Sequence, residues 1–176
     1  MIKKLFDILR SDQEDNLLSK NQANEFKEYI LGSSQALGSI INVAEKTKEQ
    51  LDILFTQYVI QKRDILKLIN TLVKMTRNNS LLNIRILLPS PKLDEEDVPS
   101  NIYPNISIKY FDRRLSEDRI TTILDSKFMY IMGSNPDHGD DLDRFFIQGI
   151  NDEPKILTAV ALFERMWMLE KSVDFG

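Results

Sequence analysis

The chain predicts an α/β fold, a central mixed and mostly parallel sheet of five or six strands with helices on both faces, preceded by an N-terminal helical extension. Three observations carry this. Apolar residues recur at three- and four-residue spacing over several long stretches, and short apolar runs bounded by charge or proline stand between those stretches. One continuous segment, Leu51–Leu88, reads strand, helix, strand. A length of 176 residues corresponds to about one domain with its own core. Its 42% hydrophobic and 28% charged residues exclude wholesale disorder and fibrous classes. We expect the extension over 1–33 and the α/β domain over 34–176.

In chain order, Ile2, Leu5, Phe6 and Leu9 fall at helical spacing beside Lys3 and Lys4, which suits a packing or self-association helix better than a membrane-surface one. Asp7 and Arg10 interrupt the segment before an apolar run of signal-peptide length forms. Asn24–Leu31 reads as a second helix, stopped at Gly32-Ser33-Ser34. Gln35–Lys48 reads as a third, capped by Ser34, with Leu37, Ile40, Ile41 and Ala44 on one stripe. Leu51–Thr56 is a buried strand by its apolar run. Asp64–Met75 is a helix by Ile65, Leu68, Ile69, Leu72 and Val73, and Asn83–Leu88 is a second strand closed by Pro89-Ser90-Pro91. Such a unit places its strands parallel with a right-handed crossover. Lys92–Asn105 reads as an exposed acidic loop. Ile106–Phe111 alternates as a strand, and Thr121–Leu124 with Phe128–Met132 forms a hairpin turned at Asp125-Ser126-Lys127. Asn135–Asp143 is a polar loop, Phe145–Gln148 a short edge strand, and Glu153–Lys171 a closing helix with Pro154 in its first turn.

Composition also narrows the chemistry. With no cysteine, thiolate metal sites, disulfides and cysteine nucleophiles are excluded together, and the lone imidazole of His138 supplies no histidine metal cluster. A net charge of −4 argues against a broad surface for a phosphate backbone, so no nucleic-acid partner is expected. No apolar run approaches the ~20 residues of a membrane span, and a cytoplasmic location is expected.

Ligand-binding groups in α/β sheets gather beyond the carboxyl ends of strands. Gly133-Ser134-Asn135 ends a strand with free backbone N–H groups and polar side chains. Asp112-Arg113-Arg114 follows another, where two guanidiniums suit a carboxylate or phosphate. With Thr56 and Ser90 at neighbouring strand ends, the candidate ligand-binding residues are Thr56, Ser90, Asp112, Arg113, Arg114, Gly133, Ser134 and Asn135. The Asp137–Asp143 segment holds four carboxylates and His138, but a calcium loop begun at Asn135 puts Phe146 where the bidentate glutamate belongs. No metal and no cofactor are expected, and Trp167 with Phe163 reads as core or dimer seam.

Leu124-Asp125-Ser126-Lys127, a strand, and then Gly133-Ser134-Asn135 resembles the tail of the phospholipase D motif, in which His-x-Lys, four residues, Asp, six residues and Gly-Ser follow one another. Anchored on Gly133-Ser134, the histidine slot holds Arg119, the lysine slot Thr121 and the aspartate slot Ser126. Slid by one to use Asp125, the first two slots hold Asp118 and Ile120. A phosphohistidine intermediate needs an imidazole in the first slot, so the resemblance is to a phospholipase D-like half-domain without catalytic residues. Ile84-Arg85-Ile86-Leu87 with Pro89-Ser90, Ile108-Lys109-Tyr110 and Thr158–Trp167 extend the likeness over about Ile30–Lys171. They point to the non-catalytic input domains of archaeal two-component sensor histidine kinases, related to TrmB-type effector domains.

The resemblance implies a non-enzymatic module that senses a small or anionic ligand at the strand ends. It also implies a relay to a downstream signalling protein or kinase core, as a homodimer formed through the N- or C-terminal helices. A protein–protein interaction or dimerisation domain without a small-molecule ligand is the alternative, and a phosphodiesterase-type enzyme the remote one.

Overall fold

The computed structural model describes residues 26–31, 33–56, 61–89, 105–112, 119–134 and 144–170. The expected helix at Ile2–Leu9, the loop 92–104, the acidic segment around His138, and Ser90, Arg113, Arg114 and Asn135 lie outside the described residues. Ten elements follow one another: β1 (Phe26–Leu31), α1 (Ser33–Lys46), β2 (Gln50–Phe55), α2 (Lys62–Asn78), β3 (Asn83–Pro89), β4 (Ile106–Phe111), β5 (Arg119–Leu124), β6 (Phe128–Ser134), β7 (Arg144–Ile150) and α3 (Glu153–Leu169).

The strands form one mixed sheet in the order β1-β7-β6-β5-β2-β3-β4. All six expected strands are present, and the expected β-α-β unit pairs β2 and β3 in parallel, Leu51 beside Ile84 and Ile53 beside Ile86. Parallel pairing stays within β2, β3 and β4, because β5 returns antiparallel beside β2 and a meander of antiparallel strands extends the sheet from there. Mostly parallel therefore gives way to mostly antiparallel. The seventh strand is β1, where a helix was expected. It pairs antiparallel with β7, Phe26 across from Gly149 and Leu31 across from Arg144. An isolated helix of eight residues has too few backbone bonds to hold itself, whereas an open strand edge satisfies the same groups at once.

Alternation along the strands divides the core in two. Leu51, Ile53, Phe55, Ile84, Ile86 and Leu88 face α1 and α2 together with Phe145 and Ile147. Leu54, Leu87, Phe111, Ile123, Met129 and Ile150 face α3. In α2 the stripe Ile65, Leu68, Ile69, Leu72 and Val73 is buried as its spacing requires. α3 buries Ile156, Phe163 and Met166 and is capped by Asp152, whose carboxylate accepts from the Lys155 N–H. Helices thus cover both faces. Among the described residues no helix is long and apolar enough to cross a membrane.

Candidate functional site

The β5–β6 hairpin positions the motif slots. At its tip Asp125 and Ser126 take φ of 50° and 55°, the left-handed region that short polar residues tolerate. The Lys127 N–H closes the turn on the Leu124 carbonyl at 2.9 Å. The Asp125 carboxylate accepts from the backbone N–H groups of Lys48, Glu49 and Gln50 at 2.9–3.0 Å, fixing the hairpin to the start of β2. Burial pushes this carboxyl up, but the three N–H groups and then the Lys127 charge outweigh it, and it is held below the usual carboxylate range. Asp125, not Ser126 of the anchored register, therefore supplies the carboxylate of the turn.

At the opposite end of the hairpin Arg119 pairs with Gly133 and Thr121 with Ile131. Residues two apart on a strand share a face, so Arg119 and Thr121 share one with Gly133, and the first slot of the anchored register sits directly across from the motif glycine. Thr56 locks this corner. Its Oγ1 donates to the Arg119 carbonyl at 2.8 Å and accepts from the Arg119 N–H at 2.7 Å, while its own N–H donates to the same carbonyl at 2.9 Å. Thr56 and Thr121 are buried.

The ends of β2, β3, β4 and β6 and the starts of β5 and β7 meet at this edge of the sheet. It therefore carries the expected residues Thr56, Asp112, Gly133 and Ser134. Thr56 and Gly133 stand two strand spacings apart, ~10 Å, with Arg119 between them. Asp112 ends the edge strand β4 and is exposed, about four spacings or ~19 Å from Gly133, so it does not share a small pocket with it. Arg119 is the residue that strand-end reasoning passed over. The motif register was its signal, since it placed an arginine where a histidine was sought. A guanidinium stays charged at any physiological pH and grips phosphate with two parallel hydrogen bonds. The Thr56 hydroxyl is committed to the Arg119 backbone and Gly133 to the strand pairing, so Arg119 is the residue at this corner whose side-chain chemistry suits an anion. The imidazole of His138 lies outside the described residues.

A second polar cluster went unread. Under α3, Asp52 of β2 and Arg85 of β3 pair across the parallel strands, and Arg85 also donates to Glu164 of α3. The guanidinium carbon lies 5.0 Å from the Phe163 ring centre and 5.4 Å from that of Trp167, and these two rings stack on each other at 5.8 Å. Lys109 Nζ sits 4.6 Å over the Trp167 ring and donates to the Trp167 carbonyl at 2.8 Å. Phe163 and Trp167, expected as core or dimer seam, are thus part of the core under α3, where their stacked rings meet two cations that rise from the sheet. Among the described residues no group of three carboxylates or histidines is arranged to hold a metal.

No family model matches the chain, and no curated protein matches its sequence. Its fold is shared with solved structures. Nuc from Salmonella typhimurium, a phospholipase D family member, is similar with a TM-score of 0.60 at 12% identity, over 86% of this chain and 98% of that one. NucT from Helicobacter pylori has a TM-score of 0.58 at 14% identity, over 85% and 99%. TrmBL2, an archaeal chromatin protein with a novel mode of DNA binding, has a TM-score of 0.55 at 14% identity, over 98% of this chain and 66% of that one. The fold is therefore phospholipase D-like.

Two expectations are corrected by these likenesses. The chain was expected not to be an enzyme, yet it shares its fold with a phospholipase D family member, so that exclusion does not stand. Nucleic acid was excluded on net charge, yet the same fold occurs in a chromatin protein that binds DNA. Net charge averages over the whole surface, whereas a phosphate is met by a few local groups. The expected pairing of copies through the terminal helices draws no support from the same likenesses.

Proposed function

We propose that this chain is a phosphate-recognition module, binding the phosphate of a small anionic ligand or of a phosphodiester chain at the β2–β5–β6 end of the sheet, and that it serves as a sensory or relay domain. The observation that supports this is Arg119, pinned through its backbone by Thr56 and set across from Gly133 beside Ser134. A fixed backbone anchors the root of the arginine side chain at this end of the sheet, and its guanidinium offers two parallel donors to phosphate oxygens. The domain boundary at residue 34 and the further ligand contacts of Ser90, Arg113, Arg114 and Asn135 belong to the same proposal.

Thermal melting tests it against inorganic phosphate, nucleoside mono- and triphosphates, and short single- and double-stranded DNA. A bound ligand at 100 times its Kd stabilises by about 2.7 kcal/mol. The shift is expected to disappear in Arg119→Ala and to persist in Lys62→Ala, on the exposed start of α2. Equal shifts in both variants would reject the site.

The phospholipase D-like fold favours a second reading, cleavage of the phosphodiester that is bound. Steady release of p-nitrophenol from bis(p-nitrophenyl) phosphate, lost in Arg119→Ala, would establish it. No release above background, with binding intact, leaves recognition as the role of the site.

A further inference from the structure

We infer that the outward face of α2 is a dock for the phosphate backbone of a nucleic-acid duplex, held without regard to base sequence. This surface is separate from the strand-end site and does not depend on it.

α2 buries Ile65, Leu68, Ile69, Leu72, Val73 and Thr76 on one side. At about 100° per residue, its opposite side carries Arg63, Lys67, Asn70, Lys74 and Arg77 within an arc of ~80° and over a length of ~21 Å. All five are exposed. Lys62 stands ~100° round the helix from Arg63, outside this stripe. The one acid of α2 is Asp64, which is buried and meets Lys67 at 3.3 Å and Arg63 at 4.0 Å. Four cations less that one carboxylate leave a surplus of three on the stripe. α1, packed beside α2 in the same core, brings only Glu45 and the half-buried Lys46. The two helices thus hold six cations and two acids in a chain whose net charge is −4, so the positive charge is concentrated on this face.

The chemistry of the stripe selects the occupant. A helix that settles on an anionic lipid surface carries large apolar residues beside its cations. Among the described residues, neither α1 nor α2 exposes a large apolar side chain. The cations fall in two pairs, Arg63 with Lys67 and Lys74 with Arg77, whose midpoints lie ~16 Å apart with the neutral Asn70 between them. Long side chains reaching out from the two pairs meet the two phosphate walls of a major groove ~12 Å wide, with α2 lying across it. A duplex offers this spacing at every turn, whereas an acidic protein surface would have to be built for it. Only phosphates are touched, so affinity is indifferent to sequence and falls with salt. At physiological salt such contacts hold a duplex at ~10⁻⁴ M, too weakly to register in melting with micromolar DNA, so the contact is read at low salt.

The test is fluorescence anisotropy of the full chain with two labelled DNA duplexes of about 20 base pairs and unrelated sequence, between about 20 and 200 mM salt. Equal affinity for the two is expected, with log Kd rising by about three per decade of salt. Arg63→Gln with Lys74→Gln takes one cation from each pair at exposed positions that glutamine fills without loss of helix. It is expected to weaken binding at least tenfold at low salt and to lower the slope by about two, with circular dichroism confirming that α2 remains formed. Arg63→Lys with Lys74→Arg keeps both values, and the loss in the glutamine variant recurs in an Arg119→Ala background. No binding at low salt, or binding that the glutamine variant retains in full, overturns the proposal. So does loss of duplex binding in Arg119→Ala alone, which would put the duplex at the strand ends. Equal or tighter binding to polyglutamate or to phosphatidylserine vesicles at the same salt also overturns it, assigning the stripe to an acidic protein or to lipid.

Discussion

Arg85 grips Asp52 with both prongs of its guanidinium, Nε to Oδ1 and Nη2 to Oδ2, each at 2.8 Å. The carboxylate is buried and is satisfied further by the Gln50 amide at 2.6 Å. Burial pulls the Arg85 guanidinium down, but the hydrogen bonds and charges of Asp52 and Glu164 outweigh it and hold the group above its ordinary value. Arg85→Met strands the Asp52 carboxylate in the interior and should cost about 3–5 kcal/mol in urea unfolding. Asp52→Asn should cost less because Arg85 keeps Glu164, and the double change Asp52→Leu with Arg85→Met should cost far less than their sum. Glu164→Gln removes only a half-exposed arm and should cost about 0.5–1 kcal/mol. Additive losses in the double variant would show that the pair acts as two independent groups.

Asp125 gives the protein an acid-sensitive joint. Its carboxyl is held below the ordinary range in the folded chain, so folding favours the ionised form. The stability it contributes is present in full above the unfolded value of about 4 and is lost as pH falls through the lowered folded value. Asp125→Asn should therefore cost about 1–2 kcal/mol at pH 7, and the gap to the parent should narrow as pH falls below the unfolded value and through the lowered folded one. Asparagine tolerates the positive φ at this position, so the loss reports the carboxylate and not the turn. A gap that stays constant with pH would refute this account.

The strands and the closing helix were legible because their signals are local. Ile84, Ile86 and Leu88 needed only alternation, and Ile65–Val73 needed only helical spacing. β1 was not legible, since Phe26–Leu31 becomes a strand only where β7 offers an open edge, a partner more than a hundred residues away. Asp52 and Arg85 were hidden for a related reason. Charged residues inside buried strands look like boundaries until the parallel register sets them side by side. Of the site, the hairpin was legible as Thr121–Leu124 with Phe128–Met132, but its strands run on to Arg119 and Ser134, and only that extension sets the first slot across from Gly133. Reading Arg119 as a missing histidine obscured what an arginine does in that position.

Gly38 offers a gain. It lies in the interior of α1, and a Cβ built on it meets nothing within 4 Å. Glycine in a helix interior costs up to about 1 kcal/mol relative to alanine, chiefly through the freedom it retains when unfolded. Gly38→Ala should raise stability by about 0.5–1 kcal/mol in urea unfolding with ligand binding unchanged. A loss of stability would mean that α1 is packed there by a group the space around Gly38 does not reveal.

Thr56 ties stability to recognition. Its hydroxyl both donates to and accepts from the backbone of Arg119, so Thr56→Val keeps the shape of the side chain and deletes two hydrogen bonds at once. The expected cost is about 1–2 kcal/mol, because a buried N–H and carbonyl lose a partner. Arg119 would keep the Thr56 N–H and its pairing with Gly133 but lose both bonds to the hydroxyl, and the melting shift given by a phosphate ligand should shrink although Arg119 itself is still present. Thr56→Ser retains the oxygen and should restore both properties. If Thr56→Val lowers stability but leaves the ligand shift at its parent value, the Thr56 lock is structural only, and Arg119 does not depend on it for its grip on phosphate.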